Sequence, residues 1–230
     1  MPSATKDTMS TKPLADQVMP GANGAESATA DEGAVRARDS FFRWCGTVDA
    51  ISQTAKREEK RSLLEAYFSS VAEETFAPAG RYFCGSFFHD TGSPLTKISA
   101  QAVGRAIEDL ASGASNDVRA RRESRGDLST IASESFAGRL PSGVSMTEMA
   151  AWGDQLATAA GTSSEGDVLR DMFARVNSLE ALYLVQLIMG SFRIGVDPDD
   201  IDYARARGRS AKASRSATSR VQRPPETEAR

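Results

Sequence analysis

The sequence is poor in the residues that most often carry catalysis or bind metals. Its 230 residues include one histidine, His89, and two cysteines. A single histidine argues against Ser–His and Cys–His catalytic pairs and against histidine-rich metal sites. Cys45 and Cys84 stand 39 positions apart, outside any Cys-x-x-Cys pair, which argues against a disulfide scaffold and a structural zinc site.

Long hydrophobic runs and catalytic motifs are also missing. No apolar stretch approaches the roughly 18 residues of a membrane-spanning helix, and no secretion signal opens the sequence, so we expect a cytoplasmic protein with no membrane partner. None of the motifs GxxxxGK[ST], GxGxxG, GxSxG and HExxH occurs. The adjacent acidic pairs Glu73–Glu74 and Asp199–Asp200 would point in different directions on a helix. We interpret them as solvated surface rather than as acid–base pairs.

The net charge of −3 is unevenly distributed along the chain. Residues 1–40 carry −2, residues 41–204 carry −7 and residues 205–230 carry +6. The basic end has few apolar residues, which is typical of disordered segments that attract polyanions without sequence preference. Its alternative role is solubility alone. Because the N-terminal residues also lack periodicity, we expect disorder over 1–38 and 208–230 around one ordered domain at 39–207.

Hydrophobic periodicity predicts helices throughout the ordered part. Apolar residues recur at intervals of three and four, and no segment alternates with period two between hairpin turns. Three capping boxes are predicted, in which a residue at the helix start and an acidic residue three positions later satisfy the first backbone N–H groups. They are Ser145 with Glu148, Ser164 with Asp167, and Asn177 with Glu180. Asp197 before Pro198 predicts a last short helix. The expected fold is all-α, a single compact domain of about eight helices.

One segment, and its order relative to others, resembles a known family. In the segment 180–196 a helix runs to Gly190 and is followed by the loop Phe192-Arg193-Ile194-Gly195. This resembles the last part of the N-terminal helical domain of bacterial-type ATP-dependent DNA ligases, where a helix ends in glycine before a Leu-Arg-Ile-Gly-type loop. Three upstream segments resemble the same domain in the same order. These segments are Thr54–Leu64, Ala79–Gly85 and Gly126-Asp127-Leu128. The resemblance as a whole covers about residues 39–204.

The residues of this loop suit contact with a phosphate. Arg193 can place two donors on a phosphate, and Gly195 lets a backbone N–H approach closely. The resemblance implies a domain that grips the minor groove on both sides of a nick and reads backbone and shape rather than base edges. Alternatively, Arg193 pairs with a carboxylate, Gly195 only turns the chain, and the other basic residues form a solvated helix face. The predicted DNA-contacting residues are Lys56, Arg57, Lys60, Arg125, Gly126, Arg193 and Gly195.

The catalytic part of such a ligase is not in this sequence. The family's catalytic domain uses a Lys-x-Asp-Gly motif, whose lysine attacks ATP, followed by an OB-fold, and none of the six lysines here precedes x-Asp-Gly. We therefore expect the DNA-binding module of a truncated or split ligase, which binds nicked duplex DNA at the nucleoid in repair, recombination or replication. It would be inactive alone and hold no cofactor; ATP and Mg²⁺ are implied only for the missing part, which a separate catalytic chain could supply. The alternative is a helical protein-interaction scaffold with a polyanion-binding tail and no ligase role.

Overall fold

The computed structural model describes residues 37–88, 98–111 and 127–221, with side chains as far as Arg215. These ranges contain nine α-helices, a 3₁₀ turn at Glu73–Thr75 and no strand, which confirms the prediction of an all-α fold. The helices are α1 (Phe41–Ser52), α2 (Arg57–Phe68), α3 (Phe76–Phe83), α4 (Ala100–Leu110), α5 (Leu128–Ser135), α6 (Met146–Ala159), α7 (Glu165–Arg175), α8 (Ser178–Ile188) and α9 (Pro198–Val221).

An aromatic cluster around Trp44 forms the centre of the core. The apolar stripe predicted for the first helix, from Phe41 to Ile51, is fully buried in α1. The Trp44 ring stacks on Phe41 at 5.6 Å between centroids and lies 5.2 Å from Phe83 of α3. It also contacts Tyr183 of α8 edge-on at 6.4 Å. Because offset and edge-on ring pairs add to the free energy of burial, one side chain of α1 connects α3 and α8.

Two of the three predicted capping boxes are confirmed. Those of α6 and α8 each show both hydrogen bonds of the motif. The box predicted at Ser164 is wrong, because this residue has helical φ and ψ and its hydroxyl pairs with Thr162 at 2.8 Å instead of capping. The Glu165 carboxylate accepts a hydrogen bond from the backbone N–H of Gly161 at 2.6 Å. Glu165, the residue after the predicted cap, therefore joins the first turn of α7 to the preceding loop.

The last helix is much longer than predicted. It begins at Pro198, with Asp197 accepting a hydrogen bond from the Asp200 N–H at 2.9 Å, as a cap followed by proline predicts. The structure differs from the expected disorder of 208–230 in that α9 continues to Val221, and as far as Lys212 its residues contact α2, α3 and the residues between them. A Cβ added to Gly208 would lie 2.9 Å from the backbone carbon of Phe68, so only glycine permits this approach.

Basic side chains of α9 hold it against the body. Arg205 donates to the Phe76 carbonyl at 2.6 Å, and Arg209 pairs with Glu73 at 3.0 Å. Lys212 donates to the carbonyl of Val71, three residues beyond the end of α2. Lys212 thus satisfies a carbonyl beyond the end of α2, whereas Arg205 reaches a carbonyl in the first turn of α3 and Arg209 reaches a carboxylate. The basic segment 205–212, whose composition is typical of a disordered tail, is therefore part of a helix that packs on the body.

Some sequence predictions concern residues outside the described ranges. The residues concerned are His89, the segments 1–36 and 222–230, and two of the predicted contact residues, Arg125 and Gly126. Within the described ranges both cysteines are free thiols, Cys45 buried and Cys84 exposed. No helix in those ranges combines the length and hydropathy needed to cross a membrane.

Candidate nucleic-acid interface

The loop after α8 is anchored in the core and carries its polar residues outward. Gly190 has φ of +64° and ends the helix region, as the sequence predicts. Phe192 is buried and stacks on Trp44 at 5.6 Å, and Ile194 is also buried. Arg193 and Gly195, which alternate with these apolar residues, are exposed. The loop therefore has an inner face that determines its position and an outer face available for contact.

Lys60 of α2 holds the loop from the other side. Its ammonium group donates to the Ile194 carbonyl at 2.5 Å. Gly195 has φ of +64°, and a Cβ there would lie 2.9 Å from Lys60 Nζ. The backbone conformation therefore favours glycine at this position, whereas the flexible end of Lys60 can move away from a Cβ. Lys60, which the sequence predicts to contact a phosphate, therefore also has a structural partner in the loop.

Two arginines of α2 join the same region to the start of α9. Arg57 donates to Asp197 Oδ2 through Nη2 and to Asp200 Oδ1 through Nε, both at 2.9 Å. Arg61 donates to the same Asp200 oxygen at 2.6 Å. The prediction that Asp199 and Asp200 both lie in solvent is wrong for Asp200, whose side chain is 4% exposed between the two arginines. We name the five residues Arg57, Lys60, Arg61, Asp197 and Asp200 the α2 clasp.

Hydrogen bonding lowers the pKa of Asp200 in the clasp. Burial by itself would raise the pKa of this carboxyl, but hydrogen bonds from Arg57 and Arg61 outweigh burial, and the pKa lies below its ordinary value. A carboxyl whose pKa is lower in the folded than in the unfolded chain stabilises the fold when it is ionised. That contribution is complete at neutral pH and is lost as the pH falls below about 4, towards the folded pKa.

We expect the Asp200→Asn variant to be less stable than the parent at pH 7, by about 1 to 2 kcal/mol, because two charge-assisted hydrogen bonds are weakened. The difference should shrink as the pH falls from about 5 to 3, since the parent loses the ionised carboxylate. Urea unfolding across this range measures it. Asp171→Asn, on the exposed face of α7, is the matched control and should change stability little at any pH. A constant difference between parent and Asp200→Asn down to pH 3 would contradict the role given to Asp200.

Lys56 and Arg193 are exposed cations of this surface that do not pair with Asp197 or Asp200. The Lys56 side chain is 78% exposed and pairs with Glu59 at 2.7 Å, a contact that solvent screens. Arg193 donates through Nη1 to the carbonyls of Phe192 at 2.6 Å and Gly190 at 3.1 Å. It forms no salt bridge with a carboxylate in the described part of the chain, where its Nη2 and Nε have no hydrogen-bond partner. Arg193 is therefore held by two carbonyl groups of its own loop, and its Nη2 and Nε donors remain available for a ligand.

The start of α5 contacts α8, the helix that leads into the loop. Ser129 in its first turn is 3.5 Å from Gln186 of α8, whose carbonyl accepts from Ser191 in the loop. Asp127 caps α5 by accepting from the Ser129 N–H at 3.0 Å. Asp127 and Leu128 of the predicted Gly-Asp-Leu segment thus stand at the start of a helix that packs on α8. The start of α5 thus contacts α8, whereas the loop itself contacts the start of α2.

The charge of this surface is balanced rather than strongly positive. Five cations face five carboxylates along 56–61 and 193–200. Sequence reasoning missed the carboxylates as partners, because Asp197 and Asp200 are about 140 positions from the arginines that they bind. Over the described ranges, no group of three or more His, Cys, Asp and Glu side chains is placed to hold a metal ion.

The fold and this surface define an all-helical domain that presents helix starts and one anchored loop at a single end. A family model described as DNA ligase N terminus matches residues 40–201. The chain belongs to this family, which confirms the resemblance found in the sequence.

Two curated relatives agree with this assignment. The chain is similar to a protein named probable DNA ligase from Opitutus terrae, with 25% identity over 220 residues that cover 80% of this chain and 22% of the relative. It is also similar to a probable DNA ligase from Koribacter versatilis, with 25% identity over 163 residues that cover 70% of this chain and 28% of the relative. The chain thus spans between a fifth and a third of the length of these relatives.

Proposed function

We propose that this chain is the DNA-binding module of an ATP-dependent DNA ligase and that it binds nicked duplex DNA. The observation that carries the proposal is the anchored loop 190–197 beside the start of α2, in a chain of the DNA ligase N terminus family. Loops and helix starts present backbone N–H groups and guanidinium donors, which suit phosphates and sugars better than base edges. Its place of action is then the cytoplasm, at the nucleoid.

The contacts that the surface can make are few. Arg193 and Lys56 have accessible donors, whereas Arg57 and Arg61 are already engaged by carboxylates. If about three phosphates are contacted, the logarithm of the binding constant should fall with that of salt concentration with a slope of about −3. Binding that does not respond to salt would contradict phosphate contacts at this surface.

Replacing Arg193 with alanine should weaken binding to nicked duplex roughly tenfold, because one charged donor pair to a phosphate is lost. The loss should be the same for different base sequences, since phosphate contacts carry no base information. A fluorescence anisotropy titration at low salt with two unrelated nicked duplexes measures both effects.

The control for Arg193 is Arg105→Ala, which removes an exposed arginine of α4, a helix that packs on α5 and α7. That variant should bind as the parent does. A change of sequence preference in the Arg193→Ala variant, or an equal loss in the Arg105→Ala variant, would contradict the proposed contact.

Catalysis is proposed to reside outside these 230 residues. The sequence contains no Lys-x-Asp-Gly motif, so ATP and Mg²⁺ are proposed only for a catalytic part on the rest of the protein or on a separate chain. The 230-residue chain mixed with nicked duplex, ATP and Mg²⁺ should give no sealed product and no lysine–AMP adduct. Either product would overturn this part of the proposal.

The charge pairing of the clasp favours one other candidate, a helical interaction scaffold that attracts DNA only through its basic end. Deleting residues 205–230 would not separate the two, because Arg205, Gly208 and Lys212 hold α9 on the body. The triple variant Arg215→Ala, Arg220→Ala and Arg223→Ala removes charge beyond those contacts. Binding kept by this variant and lost by Arg193→Ala supports the ligase-type module, whereas the reverse result supports the scaffold.

A further inference from the structure

A groove between α1 and α2 has no covering segment in the described structure. It has a volume of about 960 Å³ and lies on the far side of α2 from its contacts with α9. Its lining is mostly apolar or small, including Phe42, Gly46, Ala50, Leu63 and Ala66, and it contains one charged side chain, Arg43. Phe42 is 36% exposed there, although phenylalanine is usually buried in domains of this size.

The groove continues towards the start of α2. A second hollow shares Ala50 and Leu63 with the first and ends at Thr54 and Glu58. The combined groove therefore runs along α1 from Ala37, where the described chain begins, to an acidic end at Glu58. Its sides are apolar in the middle and negatively charged at the far end.

Two features of its lining fit a segment that packs closely into it. Gly46 stands in the middle of α1, and a Cβ there would meet nothing within 4 Å, so packing inside the folded domain does not require glycine. Glycine is unfavourable in a helix interior, and it allows another chain to approach. The second feature is the partly exposed Phe42 ring, four positions before Gly46 on α1.

We propose that the N-terminal segment of this same chain occupies the groove through Leu14, Val18 and Met19. These are three of the six leucine, valine and methionine residues in positions 1–36, and they lie between Pro13 and Pro20. The segment joins the body at Ala37, which itself lines the groove. Lys12 beside this run supplies a cation for the acidic end at Glu58. The proposal is independent of DNA binding.

The connecting chain is long enough for this arrangement. The 17 residues between Met19 and Ala37 span up to about 56 Å when extended, whereas the 12 residues of α1 cover only about 18 Å. A segment attached at the edge of its binding site has an effective concentration in the millimolar range. The isolated segment therefore needs only about millimolar affinity to occupy the groove in half of the molecules.

The test places a nitroxide spin label at residue 17 of the full-length chain and records amide signals by NMR. The labelled variant is Gln17→Cys with Cys84→Ser; Cys45 stays unlabelled because it is fully buried, and burial raises the pKa of its thiol well above the ordinary value. We expect a loss of about half or more of the signal intensity at Gly46, Ala50 and Ala66. Amides of α4 and α7 should keep their intensity.

Two further variants make the result specific. Leu14→Ser with Val18→Ser in the labelled chain should restore the groove signals, because the apolar contacts are removed. Gly46→Gln should do the same by filling the groove, while circular dichroism and the melting temperature show that the fold is intact. Groove signals that are unaffected by the label, or lost equally in these variants, would overturn the proposal.

A mixing experiment distinguishes the intrachain contact from the remaining possibility, that a second copy of the chain occupies the groove. Labelled chain without ¹⁵N is added to ¹⁵N-labelled chain without nitroxide. If the groove signals are lost in this mixture, the contact is between molecules and the intrachain proposal is wrong; unchanged signals support it.

Discussion

Replacing Trp44 with alanine is expected to lower the free energy of unfolding by about 3 to 5 kcal/mol. The side chain is fully buried, and its ring contacts Phe41, Phe83, Tyr183 and Phe192 within 6.4 Å. Alanine would leave a cavity at the junction of three helices and the loop, and packed neighbours relax only partly into such a space. Chemical denaturation followed by circular dichroism measures the loss.

Two comparison variants show what the Trp44 ring contributes. Trp44→Phe should cost much less than Trp44→Ala, because it keeps most ring contacts and removes an indole N–H that is buried without a partner in the described structure. Phe42, two positions before Trp44 on α1, is partly exposed. Phe42→Ala should cost less than about 1 kcal/mol. An unfolding midpoint for Trp44→Ala equal to that of Phe42→Ala would contradict the packing described for the core.

Trp44→Ala should also weaken DNA binding at temperatures where the variant is still folded. Phe192 stacks on the indole ring, so the loop that carries Arg193 loses part of its anchor. We expect a loss of up to about tenfold, comparable with that of Arg193→Ala, because the same guanidinium group is displaced rather than removed. Anisotropy titrations of both variants at one temperature compare the two effects.

Glu180→Ala is expected to be the next most damaging change, at about 3 kcal/mol. Glu180 is fully buried, and its carboxylate accepts hydrogen bonds from the backbone N–H of Asn177 at 2.9 Å and from the hydroxyl of Ser142 at 2.6 Å. A third donor, the Ser142 backbone N–H, lies at 3.2 Å. Alanine would leave these donors buried without an acceptor, and such groups cost more than the bond that was lost.

The same motif at an exposed helix start provides the matched control. Glu148 closes the capping box of α6 in solvent, with the Ser145 N–H at 2.9 Å and Arg175 at 2.9 Å. Glu148→Ala should cost only about 1 kcal/mol, because water replaces the carboxylate. Urea unfolding of the two variants at pH 7 compares them directly. Equal losses would mean that burial adds nothing to the capping box of α8.

Much of the local structure could be predicted from the sequence because its causes are local. Helical periodicity identified the buried face of α1, and Asn177 with Glu180 identified the start of α8. Gly190 marked the end of that helix region, since a glycine with positive φ follows naturally after a helix. The box predicted at Ser164 failed because its hydroxyl is taken by Thr162, a competition that spacing alone does not reveal.

The length of α9 could not be predicted, because the interactions that stabilise it are not local. Residues 205–221 have a composition typical of disorder and no apolar stripe of their own. They continue the helix because Gly208 packs against the backbone of α2 and Arg205 and Lys212 reach carbonyl groups of the body. Such partners lie about 130 to 140 positions away in the chain, beyond the range of any window-based pattern.

By itself the sequence determined the all-helical class, the buried faces, the family and the loop 190–197 as the segment of interest, because periodicity, capping and motif order are properties of neighbouring residues. Only the tertiary structure decided which cations remain accessible on that surface. It engages Arg57 and Arg61 with Asp200, turns Lys60 onto the Ile194 carbonyl and leaves Arg193 with unused donors. The physical reason is that a charge acts according to what faces it in space, and folding brings those partners together from opposite ends of the domain.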